Sequence, residues 1–143
     1  MKGSYVILIR LPRAETITIG KLADIYFPPG YYAYVGSALG GVKSRLSRHL
    51  SRNKKLRWHI DYLLKEAAIT DIIIGESEKR VECAMAQALN SQFDSVTGFG
   101  SSDCHCPSHL FYATKGGQMK SAIMKIMKSL SLKPRLVKEL KEE

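Results

Sequence analysis

Acidic residues are scarce in this chain of 143 residues: 13 Asp and Glu stand against 22 Lys and Arg, leaving a formal net charge of +9 at pH 7. A field of that sign attracts a polyanion most strongly. Long apolar runs are also missing. The best, "AAITDIIIG", is interrupted by Asp71 and falls well short of the roughly 18 residues required to cross a bilayer. A soluble protein with no membrane partner is expected. Cysteine is sparse and odd in number, with only Cys83, Cys104 and Cys106, so no complete disulfide framework can be drawn. The opening "MKGSYVILIRLPR" reads as a strand rather than a leader. Together these features point to a reducing, cytoplasmic compartment. Internal repeats and low-complexity linkers are absent, and at 45% apolar residues the chain can bury one ordinary core.

What is present has the periodicity of a mixed fold. "SYVILIRL" is a nearly unbroken run of β-branched and aromatic residues, which predicts a strand covered on both faces. "ETITIG" alternates strictly and predicts a second strand paired with the first around a turn at Pro12 to Ala14. "IYFPPG" is a turn signal, and "YYAYVGSA" predicts a third strand with Tyr32 and Tyr34 on one face and Tyr31, Ala33 and Val35 on the other. Gly36, Gly40 and Gly41 then open a loop that another group can approach closely. From Val42 the spacing of Val42, Leu46 and Leu50 predicts a helix carrying Arg45, Arg48, His49 and Arg52, with Arg45 and His49 on one face.

"WHIDYLLKEA" predicts a second helix, "ITDIIIGES" a strand, and "SEKRVECAMAQAL" a helix capped by Ser77. "TGFGSSDCHCPSH" is a loop leading into a short strand, "LFYAT". The tail "QMKSAIMKIMKSLSL" predicts an amphipathic helix, and Pro134 suits the start of a last helical turn. The order predicts an α+β fold with a small, largely antiparallel central sheet flanked by helices. Residues 1–117 form its main domain, and 118–143 a basic helical extension packed on it.

Two tripeptides, "GSY" at Gly3 to Tyr5 and "YVG" at Tyr34 to Gly36, followed by a helix bearing Arg45 and a later helix bearing Glu82, resemble the GIY-YIG nuclease motif. "PGYYAYVGSALGGVKSRLSRHL", "WHIDYLL", "VECAMAQAL" and "GFGSSDCHCPSHLFY" are similar to the strings of the Uri-type group of that superfamily. Tyr5 and Tyr34 lie 29 positions apart, longer than in typical members, which leaves room for the additional strand "TITIG"; Asn90 is the nearest candidate for the late Asn of the superfamily.

The resemblance implies a metal-dependent endonuclease that hydrolyses phosphodiester bonds in DNA, or less readily RNA. Tyr5 and Tyr34 would stand side by side, one phenol acting on the attacking water. Such a phenol is a weak base unless cations lower its pKa, a task for Arg45 and His49. Arg45 matches the superfamily's helix arginine, and its planar fork suits a phosphate. His49 would relay a proton or donate to a second phosphate oxygen. Glu82 would hold one Mg2+ or Mn2+. Gly36, Ser37, Lys43, Arg48, Arg52 and Lys120 are the expected nucleic-acid contacts.

Other readings of the same residues stay open. The tyrosines can be a half-buried strand face, the arginines a solvated helix face, and Glu82 a carboxylate facing the helix dipole. Trp58 and Tyr62 are expected to pack on a neighbouring element, and His59 and Asp61 either to hold the backbone in place, the favoured reading, or to line the cleft. Ser102 and Asp103 can border the cleft. Cys83, Cys104, Cys106 and His109 offer four zinc ligands, although C-x-C-x-x-H is not a strong zinc spacing; otherwise they are packing thiols. The whole chain can accordingly be a nuclease, a nucleic-acid-binding module that retains the fold without catalysis, or a protein organised by zinc.

Overall fold

Residues Gly3–Leu11 (β1) run through the middle of the molecule, and their alternation supplies two cores at once. Tyr5, Ile7, Ile9 and Leu11 enter one cluster, while Val6 and Leu8 enter the other. The computed structural model describes residues 2–38, 41–51, 54–101 and 104–137. In it β1 pairs antiparallel with β4 (Gly30–Ala38) on one side and with β5 (Ala68–Glu76) on the other. β6 (Asp94–Ser95), β7 (Leu110–Ala113) and β8 (Pro134–Val137) complete a six-stranded sheet of order β6-β7-β4-β1-β5-β8. Every pairing in it is antiparallel, as the expected fold class requires.

Helices cover both faces because both are apolar. α1 (Val42–Leu50) and α2 (His59–Leu64) bury Val42, Leu46, Ile60 and Leu63 in the first core. α3 (Glu82–Asn90) and α4 (Gly116–Ser129) bury Met85, Leu89, Met119, Ile123 and Met127 in the second. Leu50, assigned by spacing to the buried stripe of α1, is 43% exposed, and His49 is buried in its stead. Seven residues from Val42 is closer to two whole turns of a 3.6-residue helix than eight is.

Three expectations about the elements change. "ETITIG" does not pair with β1: β2 (Glu15–Ile19) pairs with β3 (Ala23–Phe27) in a separate two-stranded sheet. Gly20, at φ 48°, and the Leu22 amide bonded to the Ile19 carbonyl turn the chain straight back. The prolines after Phe27 disguise β3 as the lead into a turn. α3 starts at Glu82, four residues later than a Ser77 cap implies, because the Ser77 hydroxyl accepts the Lys79 amide in a local turn.

Pro134 opens a strand rather than a helix. It suits the first position of an edge strand, where its missing N–H is not required. Beyond it Leu136 and Val137 alternate between the second and first cores. The tail expected as an extension thus packs on the same body and adds a strand to the main sheet. Among the described residues, no helix is long and apolar enough to cross a membrane.

Candidate functional site

The β1–β4 register sets the site. Tyr5 lies opposite Gly36 and Ile7 opposite Tyr34, so the two tyrosines are diagonal neighbours on the first face of the sheet. A Cβ at Gly36 would collide with the Tyr5 ring, so the glycine is what lets that ring lie across β4. Gly36→Ala is expected to push the ring aside and destabilise the fold by about 1–3 kcal/mol, the usual effect of overpacking. Denaturant unfolding of the variant, with an unchanged midpoint as the contrary result, checks this.

A cleft of about 430 Å3 opens over the two phenols. Of the expected site residues, Tyr5, Tyr34, Gly36, Ser37, Arg45 and Glu82 all line it. Arg57, Trp58, His59, Arg80 and Gly100 join them, as do Cys83, Cys104 and His109. Among the described residues three arginines therefore face one carboxylate, an anion-attracting balance. The Ser37 hydroxyl is buried there with no hydrogen-bond partner among the described residues, a donor left over for a ligand. Arg57 and Arg80 carry no periodic signal in the sequence; only their places beside Trp58 and just ahead of Glu82 hint at a role.

His49 does not face the cleft but sits behind Tyr5, 2% exposed, with Nε2 2.7 Å from the phenolic oxygen. That corrects its assignment as a phosphate donor and leaves only the relay position. The electrostatics run opposite to the expected activation. Burial pushes the Tyr5 phenol well above its ordinary range, Tyr34 adds to this, and the charge and hydrogen bond of Arg45 only partly oppose it. Tyr34 is raised as well, by burial first and then by Glu82. Burial, reinforced by Lys54, holds His49 down to about 3. At neutral pH the pair is thus a neutral phenol against a neutral imidazole.

Arg45 is positioned by its neighbours. Its guanidinium carbon lies 4.6 Å from the centre of the Trp58 ring, and that of Arg48 lies 3.9 Å from the same ring. Arg48 is in turn clamped by Asp61, whose oxygens accept its two terminal nitrogens at 2.9 and 2.8 Å. Asp61 also accepts the Arg57 and Trp58 amides at 2.9 and 2.8 Å, closing the start of α2. Its full burial and four bonds give Asp61 the structural role expected of it. His59 has a similar one, its Nδ1 accepting the Gly100 amide at 2.8 Å. Tyr62 lies against the turn at Gly20.

Of the remaining expected nucleic-acid contacts, the described ones do not converge on the cleft. Arg48 is tied to Asp61, and Lys120 stands 3.6 Å from Asp71. Lys43 does not line the cleft either. Arg52, Ser102 and Asp103 lie outside the described residues.

Along one wall of the cleft the second residue of α3 meets the loop between β6 and β7. One donor atom each from Cys83, Cys104, Cys106 and His109 lies within 4.8 Å of all the others, so the four can hold a metal ion. Cys104 Sγ is 3.3 Å from His109 Nε2. Burial keeps the His109 imidazole below its ordinary range against the opposing pull of Glu82 and a backbone hydrogen bond with Val35.

Residues 4–132 match the model of the family described as "Domain of unknown function DUF123". The chain belongs to that family. No curated protein and no solved structure matches it. The DUF123 match takes in every residue that lines the cleft and all four of the sulfur and imidazole donors, and it ends just before β8.

Proposed function

We propose that the cleft binds a phosphodiester, in DNA more readily than in RNA, and hydrolyses it as the resemblance to GIY-YIG nucleases implies. The observation that carries this reading is that Tyr5, Tyr34, Arg45 and Glu82, drawn from β1, β4, α1 and α3, line one arginine-rich cleft. A protein that only gripped a backbone electrostatically would have no use for two phenols and a carboxylate at the same spot.

In this mechanism Arg45 binds the non-bridging oxygens of the scissile phosphate, its fork held by the Trp58 ring. The Ser37 hydroxyl and Arg80 are further donors. Tyr5 orients the attacking water and accepts its proton while passing its own to His49 Nε2, so both groups start neutral and no phenolate has to form in advance. Tyr34 hydrogen-bonds the water or the phosphate from the other side.

Glu82 is the only carboxylate lining the cleft among the described residues. A single hard oxygen ligand suits Mg2+ or Mn2+, ions that keep most of their waters. When bound, the ion supplies positive charge for the phosphate and the leaving oxygen.

The test is cleavage of a panel of nicked, branched and duplex DNAs with Mg2+ or Mn2+, comparing the protein with Glu82→Gln. Product from the first and none from the second, with binding retained, supports the reading. Identical traces point to a contaminating nuclease. Salt-sensitive binding without product under any metal condition favours the second reading, a module that binds nucleic acid without cutting it; the resting neutrality of the Tyr5–His49 pair is what speaks for it.

A further inference from the structure

We infer that Cys83, Cys104, Cys106 and His109 hold one zinc ion that braces the β6–β7 loop onto the start of α3 and so fixes Glu82 at the rim of the cleft. The four residues come from two segments that share no strand pairing: Cys83 follows Glu82 in the first turn of α3, and the other three lie in the loop. No disulfide ties any of them. Thiols are weak hydrogen-bond partners, so three of them gathered with a buried imidazole gain little from one another. They gain a great deal from a cation that takes them as thiolates.

The donor set and its dimensions select the ion. Bond lengths of about 2.3 Å to sulfur and 2.0–2.1 Å to nitrogen place the donors of a tetrahedral zinc site about 3.5–3.8 Å apart. Here they lie within 4.8 Å of one another, with the Cys104–His109 pair at 3.3 Å, so closure calls for movements of about 1 Å or less. Sulfur donors disfavour Mg2+ and Mn2+, which separates this site from Glu82. Four protein ligands leave no open position, so the ion is structural and does not activate water. On binding, the three thiols each release a proton to solvent and the imidazole binds as its neutral form. Zn2+ with three thiolates carries a net charge of −1, facing an arginine-lined cleft.

The loop has the features that make such a brace useful. It folds on itself through Gly98 N to Pro107 O at 2.7 Å and His109 N to Phe99 O at 2.8 Å, with Gly98 and Gly100 at positive φ. Apart from Phe99, Ser108 and His109 its described side chains are not buried. Among the described residues its hydrogen bonds to the rest of the cleft are the Gly100 amide on His59 and the Val35 amide of β4 on the His109 carbonyl, and neither reaches α3. Zinc would add a tie to α3, one residue from Glu82.

The zinc assignment stands without the nuclease reading; only the value of holding Glu82 rests on it. The test uses the full chain purified under reducing conditions. Metal analysis is expected to find about one zinc per chain, and Co2+ exchanged into the site to give the intense visible bands of a tetrahedral thiolate centre. Stripping the zinc from wild-type protein with a chelator should raise hydrogen exchange in residues 81–85 and 96–110 and leave β1 unchanged.

Protein that carries no zinc, and shows no Co2+ bands after reconstitution, overturns the site. Zinc that can be removed with no change in exchange overturns the brace. Cys106→Ser, a ligand that does not line the cleft, should weaken zinc retention. Arg45→Ala should keep full zinc content while losing cleavage, so failure of the nuclease reading leaves the zinc result standing.

Discussion

Arg45→Ala is expected to lower single-turnover cleavage by about 100- to 1,000-fold, the range seen when one preorganised donor to a transition-state oxygen is removed. Stability should fall only modestly. Arg45 is half-buried; it meets the face of Trp58, worth about 0.5–1 kcal/mol at a partly exposed site, and the Tyr5 phenol, a net contribution of about 1 kcal/mol. A thermal melt run beside the cleavage assay separates these effects: a large kinetic loss with a small melting shift assigns the guanidinium to the phosphate. Arg45→Lys sharpens the result. Lysine keeps the charge but cannot form two parallel hydrogen bonds to one phosphate, so it should recover binding and little of the rate. A lysine variant as fast as the parent would show that only charge matters there.

Asp61→Ala should produce the largest stability effect. Removing one partner from a buried pair typically costs about 3–5 kcal/mol, and because the Arg48 side chain retains 25% exposure the lower end applies. Two amides at the start of α2 lose their acceptor as well. Asp61→Asn rescues poorly, since half of the amide presents donors to donors. Chemical denaturation at neutral pH is the measurement, and loss below 1 kcal/mol would sink the assignment.

The same network shapes the acid limb. Burial raises the Asp61 carboxyl, but the bonds from Arg48, Trp58 and Arg57 more than reverse this and leave it below its ordinary value. Its stabilisation is therefore present above the unfolded-state value, about 3.9, and is lost as pH falls from there. His49 acts earlier. Its folded-state value of about 3 lies below the 6.5 of the unfolded chain, so acid favours unfolding throughout that window. His49→Gln should flatten the decline from about pH 6.5 to about pH 4 and leave the Asp61-dependent loss that sets in below about 3.9.

The central strands and their two faces were legible because β1 is apolar apart from Ser4 and Arg10, and β4 sets Tyr32 and Tyr34 on one face against Ala33 and Val35 on the other. Helix α1 could be placed from its spacing, and the line of residues from Tyr5 to Glu82 from its likeness to a known motif. What sequence could not show was long-range pairing. That β2 folds onto β3 rather than β1 depends on a turn at Gly20 that competes with the one at Pro12, and local patterns do not rank the two. The strand character of β8 was hidden by Pro134, which suits a helix start and an edge strand equally well.

At the site, residue types were legible and their states were not. A tyrosine beside an arginine suggests a lowered pKa; burial, a property of the whole fold, outweighs the nearby charge. Arg48 and Arg45 sit on adjacent faces of one helix and look alike in sequence. Only the arrival of Asp61 from α2 separates the structural arginine from the one that faces the cleft. Similarly, the loose Cys-x-Cys spacing gains meaning only when α3 brings Cys83 to the loop.

β8 has a bearing on how the protein survives its own synthesis. It covers the outer edge of β5 by pairing with Ile72, Ile73 and Ile74, the centre of the most apolar segment outside β1. Until residues 134–137 have been made, that edge offers unpaired amides and carbonyls flanked by isoleucine to any neighbouring chain. The strand is thus a late-arriving seal, and shortening the chain ahead of Pro134 would be felt first as aggregation rather than as loss of the cleft.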